Sequence, residues 1–413
     1  MGFNPTKIAK LLFQIAVFIL PFQIFTIVWQ PEINFSGHVN QFNNASIYLT
    51  DLLMVLSAIL FFPYKFHKKI SLGKKPILIS LILLTGLIIA SNNVFPITWL
   101  IWKLAIFWIA YILIINKIID KESAGKMLLI SAAIQSLLAI TQFLIQKSIG
   151  LSFLGEPDLL ANGIAKIDIG TEKFIRSYGT MPHPNILAGF LLMALFLGKN
   201  KILKTICVIG LVLTFSRSAI LAATMCGLVY LICNFKNTIS YIKSKKIFLA
   251  GMILVIIALS ILAYPQIKSR LLSTTEIEER LMILAPTIEM IKENPLGVGW
   301  ENFTNEIQKY TEEKLAPWEY QPVHNIYLSA TAEISIFGAG LLLFLIIYSL
   351  FAIEDKKIKY TIIAFAIIGL FDHYQYTLYQ GEMMSVIILS LAVAYPSHRA
   401  KTLKRTSPAS LRA

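Results

Sequence analysis

The chain is poor in charge. Of its 413 residues only 15% are Asp, Glu, Lys or Arg, while 56% are hydrophobic. So little charge excludes an ordinary soluble globular domain, and the mean hydropathy of +0.68 agrees. Cysteine is scarce too. Cys207, Cys226 and Cys233 all fall in apolar runs, without metal-ligand spacing or an outer pairing partner. No D-x-D occurs that could hold a metal against phosphate. Glu276, Glu278 and Glu279 cluster, but on a polar segment where a solvated face is the ordinary explanation. Gly297-Val298-Gly299 is no dinucleotide fingerprint, since no strand-and-helix unit surrounds it. No small-residue cleavage site follows the first apolar run, which therefore reads as a membrane helix rather than a removed signal. Tandem repeats and low-complexity tracts are absent as well.

What is abundant is apolar runs of spanning length. They predict an all-α polytopic membrane protein, a single integral membrane domain over 1–413. Twelve spans are expected, at 8–29, 47–62, 76–94, 97–116, 127–149, 183–198, 201–216, 218–235, 247–264, 325–352, 358–371 and 382–396. The formal charge of +14 then becomes a topology signal. With the N-terminus inside, 25 of the 37 basic residues lie in inner connections, and the short outer connections at 30–46, 91–96 and 372–381 hold none. Both termini are expected in the cytoplasm, and a nucleic-acid partner is not. The basic tail 397–413 reads as disordered and close to anionic lipid heads.

Two outer segments are long, 150–182 and 265–324. In the second, Leu281, Leu284, Ile288 and Ile291 fall at helical spacing and predict an amphipathic helix against the membrane surface or the bundle. Loops of this length usually carry function.

The outer side also collects unusual residues. Arg217 stands between two apolar runs in "LTFSRSAILA", where a charge faces a cavity or a partner, or snorkels from a helix end. Arg280 opens the amphipathic segment. Arg176 precedes the Pro182-His183-Pro184-Asn185 turn, in which the prolines keep the chain out of helix and Asn185 can cap the span that follows. His183 reads more readily as a turn residue than as a catalyst. Asn325 can cap the next long span, with His324 just outside it and Glu333 about 12 Å deeper by the helical rise. Glu333 is expected to face the interior with a polar or basic partner. "DHYQYTLYQGE", residues 372–382, reads as an interfacial aromatic belt.

Arginine forks grip phosphate oxygens, and a neutral histidine takes a proton from a hydroxyl. Together they suit transfer from a phosphate-linked lipid donor. At this point "RSYGTMPHPNILAGFLL", "LTFSRSAILAA", "ERLMILAPTIEMIKENPLGVGWENF" and "HNIYLSATAEISIFGAG" stand in the order and loop positions of the O-antigen ligase and polymerase superfamily, which the chain resembles over roughly 170–345. The resemblance implies a GT-C-like fold and a metal-independent, inverting glycosyltransferase without cofactor. It implies an undecaprenyl-diphosphate-linked glycan donor, a lipid, glycan or protein acceptor, and a site on the outer face of the inner membrane. By resemblance Arg217 and Arg280 engage the diphosphate, and His324 is the base or the acceptor-orienting group. Arg176, His183, Asn185, Asn325 and Glu333 are carried over as binding positions. A lipid-linked oligosaccharide flippase is the alternative. It would need charge through the midplane of several helices, whereas Lys103 is the basic residue well inside an early span. A scaffold would not need these groups to converge.

Overall fold

The computed structural model describes residues 4–30, 42, 44–65, 70–91, 95–169, 172–233, 275–312, 315–316 and 319–395. The predicted span 247–264 and the tail 397–413 lie outside them. The main helices are α1 (Pro5–Ile19), α2 (Leu49–Lys65), α3 (Lys75–Ala90), α4 (Ile97–Ile115), α5 (Lys121–Ile145), α6 (Pro184–Leu197), α7 (Lys201–Leu213) and α8 (Arg217–Cys233). After the undescribed stretch come α9 (Thr275–Glu293), the short α10 (Phe303–Glu306), α11 (Ile326–Ala352), α12 (Lys356–Gly369), the short α13 (Tyr374–Thr377) and α14 (Tyr379–Ala394). Among the described residues α4, α5 and α11 are long and apolar enough to cross a membrane, and five further apolar helices are shorter.

The all-α expectation needs one correction. Two antiparallel hairpins are present, β1 (Phe25–Trp29) with β2 (Ala45–Tyr48), and β3 (Lys166–Ile169) with β4 (Glu172–Ile175). The first takes the end of the predicted span 8–29. Pro21 cannot continue α1, and the β-branched and aromatic run Phe25–Trp29 then pairs as strand. The start of α5 moves the other way, to Lys121, because Asp120 caps it by accepting from the Ser123 N–H at 2.7 Å.

Helices pack closely where side chains are small. A Cβ on Gly189 of α6 would stand 1.9 Å from the Tyr374 hydroxyl, so only glycine lets α6 approach α13. At the other ends, ion pairs tie separate helices: Lys10 to Asp120 at 3.3 Å, and Lys121 to Asp355, which also caps α12.

The described part of the long loop is folded. Ile283, Met290, Val298, Phe303, Ile307, Leu315 and Val323 form a small core with Ala332 of α11. The amphipathic helix is present as α9, but its buried face differs from the predicted stripe. Ile283, Thr287 and Met290 are buried, whereas Leu281 and Ile288 are exposed. The buried face lies one position away from the most regular apolar spacing, and Thr287 is tolerated on it because its hydroxyl donates within the helix to Ile283 O at 2.6 Å.

What fastens this unit is a break in α11. Ile334 and Ser335 leave helical geometry, with Ser335 at φ 71°. The carbonyls of Ala332 and Glu333 thereby accept from outside the helix, from the N–H groups of Val298 at 2.8 Å and Gly299 at 3.0 Å. Gly297 has φ +88°, and a Cβ there would meet the Glu333 carbonyl oxygen at 2.3 Å. Beside it, Lys103 of α4 pairs with Glu301 and, at 2.9 Å, with Glu382 of α14, under the ring of Trp300 at 4.7 Å. We expect Gly297→Ala to cost on the order of 1–3 kcal/mol of loop docking through the forced backbone conformation. Limited proteolysis of the purified protein checks this. The variant should be cut within 275–324 at least several-fold faster than wild type, and equal rates would refute the latch.

Candidate functional site

Five segments converge at one end of the helices. The first is the stretch between β4 and α6. Arg176 is buried, 2% exposed, and cannot grip a ligand with its whole fork, since its Nε donates to Thr214 O at 2.8 Å and its Nη2 to Asn185 Oδ1 at 2.6 Å. Asn185 passes the chain on, its Nδ2 donating to Asp372 Oδ2 at 2.7 Å. Asp372 Oδ1 accepts from the His373 N–H at 2.9 Å. This buried relay Arg176–Asn185–Asp372 joins the start of α6 to the turn between α12 and α13.

The expected cap of α6 is corrected by it. Asn185 is occupied in the relay, and His183 caps instead, its Nδ1 accepting from the Asn185 N–H at 3.2 Å. Asn325 does cap α11 as expected, accepting from the N–H groups of Tyr327 and Leu328 at 2.9 and 3.0 Å. Its own amide donates to Leu370 O at 3.2 Å. Arg280, from the first turns of α9, donates through Nη1 to the adjacent Phe371 O at 2.9 Å. Thus α9 and α11 both dock on the end of α12.

The charges at this place act on one another. Arg176 feels Arg217, Arg280 and Asp372, and His373 feels His324, His183 and Arg280. The His324 and His373 rings meet edge to face with centroids 5.1 Å apart. Burial and the nearby Arg280 guanidinium lower His324 to about 3, so its imidazole is neutral at physiological pH. Burial likewise drives His373 well below the ordinary histidine range. Its Nδ1 is 2.7 Å from the Thr377 hydroxyl. Burial raises Asp372, against the pull of Arg280. Burial also brings Arg176 down to about 10, which leaves it charged.

Arg217, at the first residue of α8, and Arg280 remain half-exposed, unlike Arg176. The site therefore offers two accessible guanidinium groups and a neutral imidazole around one buried carboxylate. Such a set can hold an anion with several oxygens and accept a proton beside it.

Of the residues singled out by sequence, Arg176, His183, Asn185, Arg217, Arg280, His324 and Asn325 are thus brought to one place. Glu333 is not among them. It is 1% exposed, and its carboxylate accepts from the N–H groups of Glu301 and of Phe303, the latter at 3.1 Å, beside Tyr376. It faces the interior with polar partners, as expected, and they are backbone amides and a tyrosine rather than a base, while Lys103 pairs with Glu301 and Glu382. Glu333 holds the loop rather than lining the cluster. Asp372 and His373 are what the sequence reading left in an interfacial belt. A carboxylate and a histidine adjacent at a helix end were the available signal.

Comparison with known proteins follows the same region. Residues 202–343 match the family model described as O-antigen ligase. The match runs from α7 through the break in α11 and includes Arg217, Arg280, His324 and Asn325. It bears out the resemblance to the O-antigen ligase and polymerase superfamily. No curated protein matches the chain.

The depressed His324 generates a stability prediction. Its unfolded value is about 6.5, so between about 6.5 and 3 the unfolded chain binds a proton that the folded protein does not. The stability contributed by neutral His324 is complete above about 6.5 and is lost as pH falls toward 3. Thermal unfolding in detergent between pH 7.5 and 4 should show a midpoint falling with pH, and His324→Gln should flatten part of that fall. Parallel curves for the two proteins would remove His324 from the account.

Proposed function

We propose that this chain, a membrane protein with an O-antigen ligase region, transfers a glycan from an undecaprenyl-diphosphate donor to a hydroxyl acceptor at the outer face of the inner membrane. The observation that carries the reading is the convergence of Arg217, Arg280 and His324, contributed by α8, α9 and the mouth of α11. These three come from segments far apart in sequence, and a scaffold has no use for bringing them together.

The chemistry follows from the groups. The acceptor hydroxyl attacks C1 of the donor sugar while hydrogen-bonded to neutral His324, which takes its proton once the bound diphosphate offsets the Arg280 charge that weakens it as a base. The C1–oxygen bond to the diphosphate breaks, and the electron pair leaves on the phosphate oxygen. Arg217 and Arg280 meet that developing charge with fixed donors. Attack opposite to the leaving group inverts the anomeric centre. Arg176 acts through Asn185 and Asp372, holding the ends of α6 and α12 in register. The arginines supply the positive charge that a metal supplies elsewhere, so the reaction is metal-independent. A flippase, the alternative, requires a charged path across the midplane, and the membrane-buried Lys103 is instead neutralised by Glu301 and Glu382.

The test is in-vitro transfer with purified protein and undecaprenyl-diphosphate oligosaccharide. Arg217→Ala and Arg280→Ala should each lower kcat by about 10²–10³-fold, and Arg217→Lys nearly as much, because a point charge does not replace a planar fork. His324→Ala should lose roughly 10²–10⁴-fold. A chelator should leave the rate unchanged. Wild-type rates in the two arginine variants would end the diphosphate-clamp reading. Longer lipid-linked chains without added acceptor would identify a polymerase, and product only on adding a lipid or protein acceptor would identify a ligase.

A further inference from the structure

A cavity of about 530 Å³ adjoins the cluster just described. Its volume lies in the range of about 300–1,000 Å³ usual for ligand sites. The two share a wall. Thr377, whose hydroxyl is 2.7 Å from His373, lines the cavity. So does Pro182, the neighbour of His183, and so does Phe42, whose ring packs 5.3 Å from that of His373. The first hairpin brings Tyr48 to the lining, where its ring stacks parallel on Tyr379 of α14, with centroids 3.8 Å apart.

The lining combines aromatic faces with groups that bond hydroxyls. Asp51 accepts from the Tyr48 N–H at 3.0 Å and from the Tyr379 hydroxyl. Trp102 lies beside Asp51, and Gln380 beside Tyr48. The Trp102 indole reaches the Asp51 carboxylate and the Gln380 amide reaches Tyr48, but only through loose hydrogen bonds, and the Gln23 amide nitrogen is a buried donor without one among the described residues. Buried donors are rarely left so, and one unmet and two weakly met donors around one cavity leave bonding capacity for a ligand rich in acceptors. Flat aromatic surfaces present a negative face to polarised C–H groups. An apolar face combined with an equatorial set of oxygens is the chemistry of a pyranose ring.

Charge narrows the class. Lys103, the basic residue of the lining, already lies between Glu301 and Glu382. One ammonium between two carboxylates leaves no positive charge for an incoming acid, and Asp51 and Glu156 add carboxyl groups to the wall. An anionic ring would lose its hydration in this wall without gaining a counter-charge from the lining.

We propose that this cavity is a sugar subsite for neutral pyranose residues, and that it excludes uronic acids. The proposal rests on the glycan-transfer reading of the neighbouring cluster and deepens it by naming the sugar class. Asp51, Trp102 and Gln380 set the selectivity by bonding ring hydroxyl or acetamido groups.

The test is binding rather than transfer, so that the two readings fail separately. Full-length protein in detergent is titrated with maltotriose, triacetylchitotriose and trigalacturonate, none carrying a lipid or a diphosphate. Binding is followed by tryptophan fluorescence and by saturation-transfer NMR. At least one neutral trisaccharide should bind, and trigalacturonate should bind at least tenfold more weakly. Trp102→Phe, which keeps the ring and loses the N–H, and Gln380→Ala should each weaken the neutral sugar by on the order of tenfold. Thermal midpoints matching wild type establish that the variants are folded, and Asp51→Asn serves in place of either one that is not. Failure of both neutral sugars to bind, tighter binding of trigalacturonate, or unchanged affinity in the folded variants overturns the subsite. Neutral-sugar binding that responds to the variants supports it even if no acceptor yields transfer, in which case the transfer reading alone falls.

Discussion

Most of the site hangs on the interruption of α11 at Ile334 and Ser335. An unbroken helix would consume the carbonyls of Ala332 and Glu333 internally. The break frees them for Val298 and Gly299, and the carboxylate of Glu333 collects two more amides of the same loop. A segment that would otherwise be a long polar excursion is thereby bonded to the bundle and covers a core of its own. Arg280 rides on that segment. Its position beside His324 is set by hydrogen bonds made around Glu333, and only finally by its own bond to Phe371 O.

The second constraint is electrostatic. Arg217 and Arg280 each repel the buried Arg176, and burial disfavours its charge further. The relay Arg176–Asn185–Asp372 answers part of this by giving the buried guanidinium a neutral carbonyl partner and a carboxylate behind it. The histidines answer by staying uncharged. Arg217 and Arg280 keep part of their surface exposed, unlike Arg176. The same balance is drawn with the opposite sign around Lys103, where two carboxylates meet one ammonium. Two neighbouring compartments of opposite character result. One suits phosphate, and the other suits uncharged polar rings.

Much of this was legible in residue type and spacing. Asn325 before a long apolar run is a cap, and it caps. Arg217 at the join of two short apolar runs opens a helix, where the sequence put it. The amphipathic helix is where its period falls. The errors have local causes. Pro21 cut the first span short and released a strand that periodicity had absorbed into helix. Asn185 looked like a cap because nothing nearby in sequence competes for it. Its competitors, Arg176 and Asp372, arrive from nine residues before and 187 residues after. Glu333 looked like a cavity group because a carboxylate in an apolar helix usually is one, and a helix break two residues on is invisible to hydropathy.

The sequence by itself determined what each segment needs: an apolar surrounding for the runs, an aqueous edge for the lysines, caps at the polar mouths, and acceptors for the arginines. These follow from local chemistry and hold in any fold the chain adopts. Only the tertiary structure decided which needs are met by which partner. It spent Arg176 on Asn185, Glu333 on backbone amides and Lys103 on two glutamates, and it put His373 against His324. Pairing of this kind depends on distances across the bundle, and a buried charge accepts whichever complementary group the packing brings within reach. No spacing along the chain encodes that choice.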